Sequence, residues 1–202
     1  MLKRNHTKGI LEAGIDEAGR GCLAGPVSAS CVILNPAKKY KWYAWLNDSK
    51  KLNAERRSEL RKYIEEQSLC WTVAHVDHNE IDRINILNAT YSAMHLAVSK
   101  MNMQPELLLI DGNRFRPYTG IPHHCIIKGD GLYLSIAAAS ILAKTHRDEL
   151  MLKLHSEYPQ YGWNLNKAYG TAQHVKAMKE HGISPFHRRS FHLKKPQLEF
   201  KF

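Results

Sequence analysis

The chain has 202 residues, room for one full domain at roughly 100–200 residues per domain and for little more. With 44% hydrophobic and 24% charged residues, its composition is that of a globular protein and excludes a disordered tail, a collagen or coiled-coil rod, and a small disulfide scaffold. Lys and Arg number 29 against 19 Asp and Glu, a net charge of +10, which points to a polyanion partner: nucleic acid first, an anionic membrane surface second.

Met1 to His6 is polar and lacks the apolar run of a signal peptide. Leu11–Asp16 and Val27–Leu34 are short apolar runs separated by a glycine-rich turn, and they predict paired strands. Asn53 is a suitable N-cap for a charged surface helix over Ala54–Glu66, and Leu69–Val76 follows as a third strand. Ile84, Leu87, Tyr91, Met94 and Val98 recur at spacings of three and four, the stripe of an amphipathic helix. Leu107–Ile110 is apolar on both faces and predicts a central buried strand; Cys125–Ile127 is a shorter fifth. A long helix runs from about Leu132 to His155, with Pro159 beyond it, and another near Thr171–His181 is stopped by Gly182. From His174 to Phe202, Lys176, Lys179, Arg188, Arg189, Lys194, Lys195 and Lys201 stand against Glu180 and Glu199, so half the net charge lies in this tail. The order is that of a mixed α/β sheet flanked by helices.

Cys22, Cys31, Cys70 and Cys125 are scattered without a CxxC pair and read as reduced thiols. The longest apolar stretch, Ile136–Ala143, contains Ser140 and is too short to span a bilayer. The expectation is a soluble, cytoplasmic protein with no membrane partner and a monomer as the default.

Asp111 directly follows Leu107–Ile110, where open α/β sheets place their ligands; an Asp-Gly turn is the alternative for Asp111-Gly112. Asp16-Glu17 stands in the same relation to the first strand. Neighbouring strand residues point to opposite faces, so both can reach one pocket only if the chain leaves strand geometry there. Asp130 precedes the long helix and could equally cap it. Together these acids, in a chain of net charge +10, form a set that is stable at close quarters only if protonated or bound to cations. Hard oxygen donors favour Mg²⁺ or Mn²⁺, and two such ions on shared carboxylates serve phosphodiester cleavage. The pairs His75/His78, His123/His124 and His187/His192 lack neighbouring cysteines at zinc spacing, and tail histidines read as phosphate-facing or solvated. No phosphate-binding GxxxxGK[ST] loop or G-x-S-x-G elbow occurs.

The run Gly14-Ile15-Asp16-Glu17-Ala18-Gly19-Arg20-Gly21-Cys22-Leu23-Ala24-Gly25-Pro26-Val27 resembles the ribonuclease HII (type 2 ribonuclease H) family. The resemblance continues, in the family's order, through residues 48–52, 81–87, 110–112, 128–130, 136–144, 147–148, 169–171 and 187–191. The Asp16–Gly21 run favours this type over ribonuclease HIII. The resemblance implies a ribonuclease H-like five-stranded mixed sheet flanked by helices, in a single domain over 1–202 whose residues from about 156 form a helical, basic, substrate-binding C-terminal extension. It implies a metal-dependent endonuclease that cuts the RNA strand of RNA–DNA hybrids and nicks duplex DNA 5′ of an embedded ribonucleotide, leaving 5′-phosphate and 3′-hydroxyl ends. By motif position, Asp16, Glu17, Asp111 and Asp130 match the four catalytic carboxylates that hold two Mg²⁺ or Mn²⁺ ions, with Asp16 bridging both. Gly19, Arg20 and Gly21 match the turn that reads the 2′-hydroxyl, the group separating RNA from DNA. Tyr169 matches the tyrosine that stacks on the sugar, although it follows Ala168 where many relatives have glycine. Lys50 and Lys144 stand in matching motifs as phosphate contacts, and Asp148 reads as a structural partner for a nearby base. The end of the chain, residues 197–202, resembles the short peptides that dock on bacterial sliding clamps. Competing readings are a DNA-cutting enzyme of the same superfold and a non-catalytic nucleic-acid binder. The 2′-hydroxyl-reading turn argues against the first and the intact carboxylates against the second.

Overall fold

The structure is a computed structural model that describes residues 2–46 and 53–191. Lys50, with its motif, and the clamp-like residues 197–202 lie outside the described residues. Strands β1 (Glu12–Ala18), β2 (Val27–Ile33), β3 (Cys70–Val76), β4 (Leu107–Asp111) and β5 (His123–Ile126) form one mixed sheet in the order β3-β2-β1-β4-β5. β1 runs antiparallel to β2 and parallel to β4; β2–β3 is antiparallel and β4–β5 parallel. β2 is buried along its whole length and β1 through Asp16, so neither shows the polar alternation of a solvent-facing strand.

The helices are α1 (Ala54–Gln67), α2 (His78–Ser99), α3 (Leu134–Glu157), α4 (Trp163–Asn166) and α5 (Ala172–His181). Ala89, Ala93 and Ala97 of α2 pack with Ala13, Ile15, Ala29 and Ile110 on one face of the sheet. On the other, Leu60 and Ile64 of α1 and Leu134, Ala138 and Ile141 of α3 pack with Val32. Gly14 sets how closely α3 approaches β1: a Cβ there would lie 2.1 Å from the backbone carbon of Ser135, so no side chain fits. A third core of Cys22, Ala24, Met151, Tyr161, Trp163, Ala168 and Ala177 fastens the C-terminal segments to the chain leaving β1. Among the described residues no helix is long and apolar enough to cross a membrane.

The structure departs from the predicted elements in four places. β1 continues to Ala18 instead of stopping at Asp16. β5 begins at His123 and ends at Ile126, leaving Ile127 67% exposed. The helix predicted from Ile84 begins at His78, where the Asp77 carboxylate accepts the Glu80 amide at 2.9 Å. It then breaks at Asn85 (φ 67°, ψ 164°), whose side-chain oxygen accepts the Leu87 and Asn88 amides at 3.0 and 3.1 Å and so caps a second segment. This break shifts the helical phase. The buried face runs through Ile81, Ala89, Ala93, Met94 and Ala97, while Leu87 of the predicted stripe is 40% exposed. Finally, the short α4 carries no periodicity by which it could be foreseen.

Candidate active site

β1 pairs with β4 only as far as Ile15 opposite Ile110. Asp16 and Glu17 therefore stand past the end of the β4 pairing while still paired to Ser30 and Ala29 of β2. The expectation that the chain must abandon strand geometry is not met; an open flank beside a continuing strand brings both side chains to one pocket. Asp16 is 5% exposed. Its Oδ1 accepts the Glu17 amide at 2.7 Å, and the Ser140 hydroxyl of α3 donates to it. Asp111 closes β4, and its Oδ1 accepts the Gly129 amide at 2.7 Å. That bond ties the end of β4 to the single 3₁₀ turn Gly129–Gly131, which carries the buried Asp130. Asp130 does not cap the long helix: Tyr133 takes that position, with no side-chain cap.

The four carboxylates share a pocket of about 200 Å³ with Gly19–Gly21, Ser140, Lys144 and Tyr169. Burial first, then the charges of Glu17 and Asp111, pushes Asp16 well above the ordinary carboxylate range, against the bonds from Ser140 and the Glu17 amide. A pocket that resists a further negative charge and offers only hard oxygen donors suits a divalent cation. Among the described residues, no group of three or more His, Cys, Asp or Glu side chains is spaced to hold an ion unaided. Mg²⁺ fits that arrangement, since it is usually held by one or two carboxylates with water and substrate phosphate completing its shell.

The other half of the pocket is a turn and a tyrosine. Gly19 has φ +92°, and a Cβ there would fall 2.0 Å from Nε of Arg147, so only glycine fits both the conformation and the space. The Arg20 guanidinium pairs with Glu17 at 3.1 Å. Tyr169 is 43% exposed and bridges to Cys22 next to the turn. Ala168, fully buried, takes φ +69°, the region that glycine enters without strain. Lys144 lines the pocket with its ammonium on both oxygens of Asp148, at 2.5 and 2.7 Å.

Several residues that hold this half went unassigned in the sequence. Arg147, 1% exposed, donates to the carbonyls of Pro26, Lys167 and Ala24 at 2.9, 3.0 and 3.1 Å. Arg188, 2% exposed, donates to those of Gly19, Arg20 and Gly25 at 2.8, 3.0 and 3.0 Å. Arg188 is thus no part of a solvated basic tail. Nor is His187 phosphate-facing or solvated: it is 2% exposed and bonded to His174 and Ser184. No periodicity marks the two arginines, whose bonds span up to 123 and 169 positions.

The family model for ribonuclease HII matches residues 13–194. The chain is similar to ribonuclease HII of Cytophaga hutchinsonii, 58% identical over 195 residues, covering 96% of this chain and 95% of that protein. It is 54% identical to ribonuclease HII of Christiangramia forsetii over 202 residues, covering 100% of both. Among solved structures it resembles the PCNA:RNase HII complex from Archaeoglobus fulgidus, with a TM-score of 0.77 and 25% identity over 94% of this chain and 98% of that one.

Proposed function

The chain belongs to the ribonuclease HII family and is a ribonuclease H-type endoribonuclease; from that premise we propose that it hydrolyses the RNA strand of RNA–DNA hybrids and nicks duplex DNA 5′ of a single embedded ribonucleotide. The products carry 5′-phosphate and 3′-hydroxyl ends. The observation that carries this reading is one pocket lined both by four carboxylates and by the turn and tyrosine matched to 2′-hydroxyl recognition.

Asp16, Glu17, Asp111 and Asp130 would hold the divalent ions, Mg²⁺ or Mn²⁺, with water and substrate phosphate completing the shells. When bound, the ions supply an activated water and stabilise the leaving oxygen. The residues of the chain set the geometry. Ser140 and the Glu17 amide orient Asp16, and the Gly129 amide orients Asp111. The Gly19–Gly21 backbone approaches the ribose, where the 2′-hydroxyl can exchange hydrogen bonds with it. The half-exposed ring of Tyr169 stacks on the neighbouring sugar. Lys144, with Lys50 from its matching motif, meets phosphate, and the basic segment from about residue 156 extends the contact along the duplex. Residues 197–202 recruit a sliding clamp, a reading supported by the complex that the Archaeoglobus relative forms with PCNA. Loss of clamp capture on deleting 197–202 is expected; unchanged capture refutes that part.

The test is a gel assay with Mg²⁺, and separately Mn²⁺, on matched duplexes: all DNA, DNA with one ribonucleotide, and full RNA–DNA hybrid. A single nick 5′ of the lone ribonucleotide, cleavage of the hybrid and an intact all-DNA duplex are expected. Cleavage of the all-DNA duplex overturns the 2′-hydroxyl reader, and no cleavage of any substrate overturns the catalytic assignment.

A further inference from the structure

His187 and Arg188 are adjacent in the chain; Arg188 is bonded to the turn directly, and His187 reaches Tyr169 through His174. Arg188 sends its guanidinium to the carbonyls of Gly19 and Arg20 at 2.8 and 3.0 Å, and its backbone amide to Leu23 at 2.8 Å. It has no carboxylate among these partners. Burial lowers it only to about 10, so it remains a cation at neutral pH, and its hydrogen bonds to carbonyls are the strong, charge-assisted kind.

His187 begins a second path. Its Nδ1 accepts the Ser184 amide at 2.9 Å, which leaves the proton on Nε2; that group meets Nε2 of His174 at 3.1 Å. His174 Nε2 also receives the indole N–H of Trp163 at 3.0 Å, so it is an acceptor, and the proton of His174 sits on Nδ1. From Nδ1 it donates to the carbonyl of Tyr169 at 3.0 Å. Every polar atom along this path has one consistent role when both rings are neutral. Burial keeps them neutral, holding His187 at about 4 and lowering His174.

We infer that the dipeptide His187–Arg188 is a clasp that sets the distance between the Gly19–Gly21 turn and Tyr169, and thereby the discrimination for a ribose at the cut site. Both are positioning residues, since neither lines the pocket. The inference rests on the reading of turn and tyrosine given above. A carbonyl held from behind fixes the peptide planes that face the sugar, and a shift of about 1 Å in such a site costs on the order of a hundredfold in rate.

The chemistry of two substitutions separates the clasp from mere stability. His187→Gln keeps a donor at the place of Nε2 and so still reaches His174. His187→Asn keeps only the acceptor facing Ser184. On the lone-ribonucleotide duplex, His187→Asn and Arg188→Lys are expected to lower kcat about tenfold or more while KM moves less than about threefold; His187→Gln is expected to stay within about threefold of wild type. In a Tyr169→Ala background His187→Asn should cost less than about twofold more, and Arg188→Lys likewise in a Gly21→Ala background, because residues acting through one another are non-additive. A Val98→Ala variant, which loosens the core between α2 and the sheet on the face away from α3, should lower Tm and leave kcat on the lone-ribonucleotide duplex within about threefold of wild type. Should Arg188→Lys or His187→Asn not fold, Ser184→Ala, which removes one bond to His187, is read in the same cycle. Fully additive losses, equal losses in His187→Gln and His187→Asn, or the same fall in kcat from Val98→Ala overturn the clasp and leave the reader standing. If Tyr169→Ala and Gly21→Ala themselves leave cleavage of the lone ribonucleotide unchanged, the reader fails and the clasp with it.

Discussion

Asp16, Asp111 and Asp130 take their positions from sheet ladders and from the first turn after a strand, whereas the 19–21 turn and Tyr169, joined by one isolated bridge at Cys22, lean on single side chains: Arg188 from 169 positions away and His174 from the neighbouring helix. Both halves line one pocket, yet the forces holding them differ in kind. Backbone ladders repeat, so the loss of one bond is shared along the strand. The bonds of Arg147 and Arg188 do not repeat, and a buried carbonyl left without a partner costs roughly 1–3 kcal/mol. On the proposed reading, chemistry is thus mounted on the part held by repeating ladders, and recognition on a part whose geometry a few side chains control.

The sharpest way to separate the halves is Asp16→Asn. It removes a charge at the centre of the carboxylate set while the reader is untouched. Cleavage is expected to fall by at least about a thousandfold, with hybrid binding retained in a gel-shift assay; unchanged cleavage contradicts the assignment. Gly21→Ala is the matching probe of the other half. An added Cβ there meets nothing within 4 Å in the free protein, so Tm should move by less than the equivalent of about 0.5 kcal/mol. On the proposed reading the same methyl would obstruct the ribose, and kcat/KM on the lone-ribonucleotide duplex should drop about ten- to a hundredfold. A large fall in Tm would mean that the glycine serves the fold and not the substrate.

How much of each half can be read in the sequence follows from the same difference. Each carboxylate directly follows, or stands shortly before, an apolar run whose periodicity is local, so strand ends and acids can be found together. The bonds of Arg188 span 163 to 169 positions and those of Arg147 up to 123. Nothing near an arginine in the chain announces that it will be buried against carbonyls, and the family resemblance quoted both without assigning either. The break at Asn85 was hidden for a related reason. An asparagine within a regular stripe looks like a polar surface residue until its backbone turns positive in φ and its side chain caps the next segment.

Acid stability offers a smaller effect. Burial, ahead of neighbouring charges, holds His75 on β3 and His187 in the clasp down to about 4 each, while the unfolded chain titrates near 6.5. Between those values the unfolded state binds more protons, so stability is complete above about pH 6.5, falls as pH drops toward 4 and levels off below. His187 should account for up to about 3 kcal/mol of that loss, and denaturant melts of His187→Gln should show a correspondingly flatter slope across the window. An unchanged slope would place the titration elsewhere. The smallest effect belongs to neither half. Asn53 caps α1 by accepting the Arg56 amide at 2.8 Å, and Asn53→Ala should cost about 1 kcal/mol without altering any cleavage ratio; a changed ratio would link α1 to the pocket.

The span between Arg188 and Gly19, 169 positions, also sets a schedule. At about 5–20 residues added per second, the turn leaves the ribosome roughly 8–35 s before the arginine that holds its carbonyls. All four acids are synthesised by residue 130 and α3, with Ser140, by residue 157, so the carboxylates and their supports are complete before the arginine that braces the turn. Translation arrested in that interval yields a chain with every acid present and its selective turn unbraced.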